Sequence, residues 1–224
     1  MNNLAWSAVA VLAAYLIGSL SFAVIVSRVM GLSDPRSYGS KNPGATNVLR
    51  SGNRKAAILT LLFDALKGYV PVLLAVQLGP RVGLGDNTAA FVGLAAFLGH
   101  LWPVFFRFQG GKGVATAAGV LLALNLPLGG LVLMTWLVVA YLSRYSSLAA
   151  IVAALCAPLY QLMLWDGGLQ ALPIAVMSLL LVWRHAGNIQ KLMTGTESRI
   201  GQKAAAPPPH APARPHSHSK KGAK

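Results

Sequence analysis

The chain has 224 residues, of which 55% are hydrophobic and only 11% charged, against about 25% charged in an average soluble domain. Its mean hydropathy of +0.58 accompanies 23 Gly and 13 Pro, a mixture that excludes both a water-soluble globular enzyme and a disordered chain. Nineteen Lys and Arg face five acids, a net charge of +14, which in so apolar a chain points to an integral membrane protein rather than a nucleic-acid binder.

The first apolar run covers residues 4–30, and its first 24 residues carry no charge. That is long enough to cross a hydrocarbon core of about 30 Å at about 1.5 Å per residue. No basic residue precedes it, so it reads as a retained helix and not as a cleaved leader. Further spans are expected at 56–78, 88–106, 114–126, 128–142, 148–165 and 169–183. The fourth and fifth are short and meet at the turn-rich stretch Asn125-Leu-Pro-Leu-Gly-Gly130, so they form either two helices or one bent hairpin. The expected fold is an all-α polytopic membrane protein of about seven transmembrane helices.

Charge sets the expected direction. Seven crossings place seventeen of the nineteen basic residues on one side, leaving Arg81 opposite and Lys67 within a span. The positive-inside rule then puts the N-terminus outside and the C-terminus in the cytoplasm. Residues 1–202 form the membrane domain. From 203 to 224 the composition turns to Ala, Pro, His and Lys, the signature of a disordered basic cytoplasmic tail. His210, His216 and His218 there read as solvated residues before metal ligands, and the single Cys156 excludes an intramolecular disulfide.

Polar chemistry gathers in three cytoplasmic segments. The first, residues 34–50, packs Gly39 and Gly44 among Ser40, Asn42, Thr46 and Asn47, with Arg36, Lys41 and Arg50 as cations. Glycines permit the positive φ that turns N–H groups into one concavity, and guanidinium groups grip phosphate oxygens bidentately. Topology accounts for the basic residues of this loop, but not for its Asn, Thr and Gly. The second segment carries His100 and then Gly110-Gly-Lys112-Gly113 before a helix, where free N–H groups and a positive dipole end suit phosphate. It is not a Walker A loop, because Phe106 stands where that pattern needs Gly, and Gly113 where it needs Ser or Thr. The third follows the last span with His185, Asn188 and Glu197, the chain's one Glu. A smaller candidate is the stretch 143–147, which contains Ser146. Asp64 and Lys67, three residues apart on one helix face, read as a mutually neutralising structural pair. Five residues after His100 and His185 stand Phe105 and Gln190. Neither His therefore has the carboxylate that soluble glycerolipid acyltransferases use, and there is no nucleophile elbow.

These segments carry a resemblance. Asp34-Pro-Arg-x-x-Gly-Ser-x-Asn-Pro-Gly-Ala-Thr-Asn-Val-Leu-Arg50, Phe63-Asp-x-x-Lys-Gly68, Gly99-His-x-Trp-Pro-Val-Phe-Phe106 and Phe108-Gln-Gly-Gly-Lys-Gly-Val-Ala-Thr116 occur in order. With Tyr145-Ser-Ser-Leu148, Arg184-His-x-x-Asn-Ile189 and Gly195-Thr-Glu197, they resemble the bacterial acyl-phosphate:glycerol-3-phosphate acyltransferase family over about residues 4–200. The resemblance implies a multi-pass inner-membrane enzyme whose active site faces the cytoplasm. It would move an acyl group from acyl phosphate to the 1-hydroxyl of sn-glycerol 3-phosphate, giving lysophosphatidate and inorganic phosphate. No cofactor, metal or nucleic acid is implied, and the partners are the two substrates and membrane lipid.

On that reading Ser40, Thr46, Asn47 and Arg50, with Asn42 and Gly44, hold one phosphate. Lys112 with Gly110, Gly111 and Gly113 holds the other, and His185 and Asn188 orient glycerol phosphate. Arg36, His100, Ser146 and Glu197 support them. No side chain is assigned as general base; a substrate phosphate oxygen takes the hydroxyl proton. The family usually has Gly where this chain has Lys41, which costs about a kcal/mol if φ there is positive and otherwise adds a phosphate contact. Ala186-Gly187 likewise replaces more polar residues. The rival expectation is a transporter or channel for a phosphorylated small molecule.

Overall fold

A computed structural model describes residues 3–85, 87–165 and 168–201, and these residues are helical without strands. The proposed tail of 203–224, with its three His, lies outside the described residues, as do Asp86 and Asp166. Four helices are long and apolar enough to cross a membrane: α4 (Arg54–Val82), α5 (Thr88–Leu101) with the short turn Val104–Phe106 that extends it, α7 (Leu126–Ser143) and α8 (Ser146–Leu164). Two bent pairs raise the candidate spans to six. They are α1 (Asn3–Gly18) with α2 (Phe22–Val29), bent by 44°, and α9 (Ala171–Arg184) with α10 (Ala186–Met193), bent by 54°. The helix α6 (Val114–Leu124) has 11 residues, too few to cross about 30 Å of hydrocarbon unaided at about 1.5 Å per residue. A five-residue helix α3 (Ala45–Leu49) lies in the first polar segment. The chain is an all-helical, multi-pass integral membrane protein.

The first expected span is not continuous. It breaks at residues 19–21 without a proline. Ser19 turns its hydroxyl back onto the carbonyl of Tyr15 at 2.8 Å, a local bond that competes with the helix ladder. The break strands the carbonyl of Leu20, and Lys67 Nζ supplies the missing donor at 2.7 Å.

The stretch expected to break at 125–130 yields after a single residue. Asn125 ends α6 and caps α7, its Oδ1 accepting the Leu128 N–H at 3.0 Å. Pro127 sits in the first turn, where a missing N–H costs nothing, and Gly129 and Gly130 continue the helix. Pro71, Pro80 and Pro158 also lie inside helices, which neighbouring segments make tolerable in membranes.

Small residues let the helices close on one another. A Cβ on Gly18 would strike the Ala96 carbonyl of α5, one on Gly68 the Thr116 carbonyl of α6, and one on Gly119 the Ala65 carbonyl of α4. Such small-residue contacts drive helix association where lipid tails offer no hydrophobic gain. The central core is built on Phe97, Leu101, Val120, Leu128 and Ile174, all at most 1% exposed, with half-buried neighbours such as Tyr69, Trp102 and Trp136 packed against it. Leucine and methionine side chains of α7 and α8 such as Met134, Leu137 and Leu159 point outward, as lipid-facing positions do. This packing brings the end of α5 and the start of α6 to the 34–50 loop, where Gly111 lies against the His100 ring and the Pro43 carbonyl.

Candidate active site

The 34–50 loop is braced from within. Asn47 is 1% exposed. Its Oδ1 accepts the Ser40 N–H at 3.0 Å, and its Nδ2 donates to the carbonyls of Pro35 at 2.6 Å and Tyr38 at 3.2 Å. Gly39 takes φ +56° against that amide, where a Cβ would strike Oδ1. Arg36 makes a two-pronged pair with Asp34, Nη2 to Oδ2 at 2.6 Å and Nε to Oδ1 at 3.0 Å. This pairing holds the Asp34 carboxyl below the usual carboxylate range. Lys41 adopts φ +56°, so it occupies the left-handed region that glycine takes without strain, and its side chain is exposed. Ser40 and Thr46 are exposed, and Asn42 and Gly44 half-buried.

Arg50 runs back past Gly39 and donates from Nη2 to Ser198 Oγ at 2.6 Å. The first polar segment thereby meets the last.

The 110–113 loop is held by its neighbours on two sides. Gly111 N–H donates to the His100 carbonyl at 3.1 Å, so this amide faces inward. From α9, Arg184 donates to the carbonyls of Gly110 at 2.8 Å and Gly111 at 2.9 Å through Nη2, and to Gly111 again through Nε at 3.1 Å. A Cβ at Gly110 would meet the His100 and Leu101 carbonyls, and one at Gly111 the His100 ring and Pro43 carbonyl. Gly113 takes φ +84° beside the Phe97 ring. Glycine is required at all three for close approach or for φ.

Lys112 leaves this clamp and donates to Asn188 Oδ1. Asn188 Nδ2 donates to Glu197 Oε1 at 2.7 Å, and Ser147 Oγ donates to the same oxygen at 2.7 Å. The ammonium can only donate and the carboxylate only accept, so the Asn188 amide has a single consistent orientation. Burial pushes the Lys112 ammonium down to about 8; Glu197 opposes the shift, while Lys191, Arg184 and Arg50 add to it. Three other cations thus act on Lys112 against one carboxylate, and the site presents an excess of positive charge.

His185 occupies the bend between α9 and α10 and is 3% exposed. Its Nδ1 lies 2.8 Å from the Leu181 carbonyl, which can only accept. Nδ1 therefore carries the proton and, in the neutral ring, Nε2 is left as an acceptor.

The structure brings together Arg50, Lys112, Asn188 and Glu197 with the glycines of the 110–113 loop. Sequence reasoning passed over Ser147, which is buried and touches Glu197, in favour of Ser146 beside it. It also passed over Arg184 and Ser198. The Tyr145-Ser-Ser-Leu148 motif was the available signal for Ser147. Ile200 N–H donates to the Arg144 carbonyl at 2.7 Å and Arg199 Nε to Tyr145 Oη at 3.2 Å, so the 195–200 segment lies as a strap over the start of α8.

A family model described as glycerol-3-phosphate acyltransferase matches residues 8–195. A protein of that name from Paraburkholderia phytofirmans is 66% identical over 193 residues, covering 86% of this chain and 90% of the relative. One from a Janthinobacterium species is 62% identical over 192 residues, covering 86% and 96%. Among solved structures, PlsY (YgiH), an integral membrane glycerol 3-phosphate acyltransferase, is similar in two forms. Its glycerol 3-phosphate form aligns with TM-score 0.81 at 39% identity, over 87% of this chain and 96% of that one. Its lysophosphatidic acid form aligns with TM-score 0.79 at 38% identity, over 87% and 95%. With that span of the family model and that identity across most of both chains, the chain belongs to the PlsY-type integral membrane glycerol-3-phosphate acyltransferase family.

Proposed function

We propose that the chain acylates glycerol 3-phosphate to lysophosphatidic acid with acyl phosphate as donor, at a site on the cytoplasmic side of the membrane. One observation carries the reading: Lys112 is buried in the field of Arg50, Arg184 and Lys191, with Glu197 as the one opposing carboxylate acting on it, next to a glycine loop in which side chains have no room. Both substrates are phosphates, and a cationic pocket of low local dielectric strengthens each contact with them. Support also comes from the relative whose structures hold glycerol 3-phosphate in one form and lysophosphatidic acid in the other.

Arg50 and Lys112 are the phosphate ligands, Arg50 exchanging Ser198 for a phosphate oxygen and Lys112 exchanging or sharing Asn188. Ser40, Thr46 and Asn42 line the open side of the first loop with Gly44, while Asn47 shapes that loop through its backbone contacts. Glu197, with Ser147, orients Asn188, and His185 with Asn188 orients the glycerol backbone. The acyl chain lies among the apolar helices with its carbonyl at the interface. The 1-hydroxyl attacks that carbonyl; its proton passes to a substrate phosphate oxygen, and inorganic phosphate leaves. Positioning and charge supply the acceleration. The seven-span topology, with α6 as the short seventh, N-terminus outside and C-terminus cytoplasmic, is supported by the distribution of basic residues.

The test is the donor. Purified protein offered acyl phosphate, acyl-CoA and acyl carrier protein thioester should turn over acyl phosphate alone. Turnover of acyl-CoA without acyl phosphate overturns the assignment.

A further inference from the structure

The mechanism above leaves unused the ionisable pair inside α4. Lys67 Nζ lies 2.8 Å from Asp64 Oδ1, with the side chains 2% and 4% exposed. Charges at such depth are expensive, and apolar residues in place of a buried pair are often neutral or stabilising. Stability alone is therefore a poor reason for the pair.

The pair faces α5 and α6. Asp64 Oδ1 is 3.6 Å from His100 Nδ1, an electrostatic contact, and Thr116 Oγ1 is 3.2 Å from the same nitrogen. The single hydroxyl proton of Thr116 goes to the Asp64 carbonyl at 2.9 Å, which can only accept. The Thr116 oxygen must then accept from His100 Nδ1–H. Both Thr116 and His100 are buried. The far edge of the imidazole, carrying Nε2, lies against Gly111, whose own N–H binds the His100 carbonyl. The ring is the floor of the loop immediately before Lys112.

We infer that Thr116 and His100, with Asp64 and Lys67 behind them, are positioning residues that hold the 110–113 loop and so set the reach of Lys112 toward its substrate phosphate. The inference rests on the assignment of Lys112 to a substrate phosphate. It differs from a packing role in what it makes Thr116 do: the hydroxyl matters, and its shape does not.

The experiment measures KM for glycerol 3-phosphate and for acyl phosphate, kcat and thermal stability in three variants. Lys112→Met identifies the substrate whose KM depends on the ammonium. Thr116→Val keeps the shape and loses the hydroxyl; it should raise that same KM about tenfold and leave kcat and the other KM within about threefold. Thr116→Ser restores the hydroxyl and should return KM to within about threefold of the parent. Parental kinetics in Thr116→Val, beside a defective Lys112→Met, overturn the positioning role alone. Parental kinetics in Lys112→Met overturn the phosphate assignment and the inference with it. An equal defect in Thr116→Val and Thr116→Ser that follows lost thermal stability reduces Thr116 to packing and also overturns it.

Discussion

Lys41 and Lys112 both belong to segments proposed to meet substrate phosphate, and the backbone separates their duties. Lys41 holds φ +56° with an exposed side chain, so it bears strain that glycine avoids. Lys41→Gly should therefore stabilise the protein by about 0.5–1 kcal/mol, a rise of about 1–4 °C in Tm, with KM values unchanged; a large rise in KM would show instead that its ammonium binds substrate. Lys112 titrates near 8 because it is buried. Only its ammonium binds phosphate, so kcat/KM should fall as pH rises through about 8. The sign for stability is opposite. The unfolded chain holds this proton up to the ordinary value of 10.5, so the folded state is relieved of a buried charge, and gains stability, between about 8 and 10.5. Lys112→Arg, permanently charged, should lose the alkaline limb if it keeps activity, and a limb unchanged in that variant assigns the titration elsewhere. Residue types in the motifs were readable from sequence, but not their partners. Ser146 and Ser147 are adjacent in one motif, and only helix register turns Ser147 toward Glu197. Arg184 stood in a motif but received no role, because its task of gripping two backbone carbonyls leaves no mark in the sequence.

Among the helices, the apolar runs foretold the elements closely, and the errors fall where backbone polarity decides. The break at 19–21 has no proline or Asn-Gly to announce it, and it depends on a donor 47 residues away, Lys67. Conversely, the Leu-Pro-Leu-Gly-Gly run after Asn125 looked like a long breaker, yet Pro127 at a helix start and two glycines in lipid are compatible with helix. Glycines with different surroundings should answer differently to substitution. Gly119→Ala puts a methyl against the Ala65 carbonyl of α4 and should cost about 1–3 kcal/mol by forcing α4 and α6 apart. Gly130 has nothing within 4 Å of a built Cβ, so Gly130→Ala should stabilise α7 by about 0.5–1 kcal/mol. Thermal unfolding in detergent measures both, and equal responses would refute the close-approach account.

Over the whole molecule, net charge proved to be two signals superimposed. Most of the basic residues are what the proposed topology asks for, while Arg50, Arg184 and Lys191 act on the buried Lys112 against the single carboxylate of Glu197. The sequence showed the first signal by counting, and the second only through the glycines and short polar residues beside the cations. The topology is open to direct measurement in a Cys156→Ser background. A cysteine at Gly85, between α4 and α5, should react with a membrane-impermeant maleimide in intact cells. One at Ser51 should react only after permeabilisation. Reversal of the two reactivities would invert the orientation and put the site on the wrong side for a cytoplasmic substrate.

The strap at 195–200 has a consequence for synthesis. Ser198 reaches Arg50 across 148 residues and Glu197 reaches Ser147 across 50, so segments far apart in the chain join at the site. A ribosome inserting this protein makes the Arg50 loop before α4 and the Glu197 anchor only after α10. Until that final stretch emerges, a fully inserted bundle lacks the carboxylate that aligns Asn188 and Lys112. A variant truncated just after α10 should therefore enter the membrane without acyltransferase activity, and activity retained in it would show that Glu197 and Ser198 are dispensable.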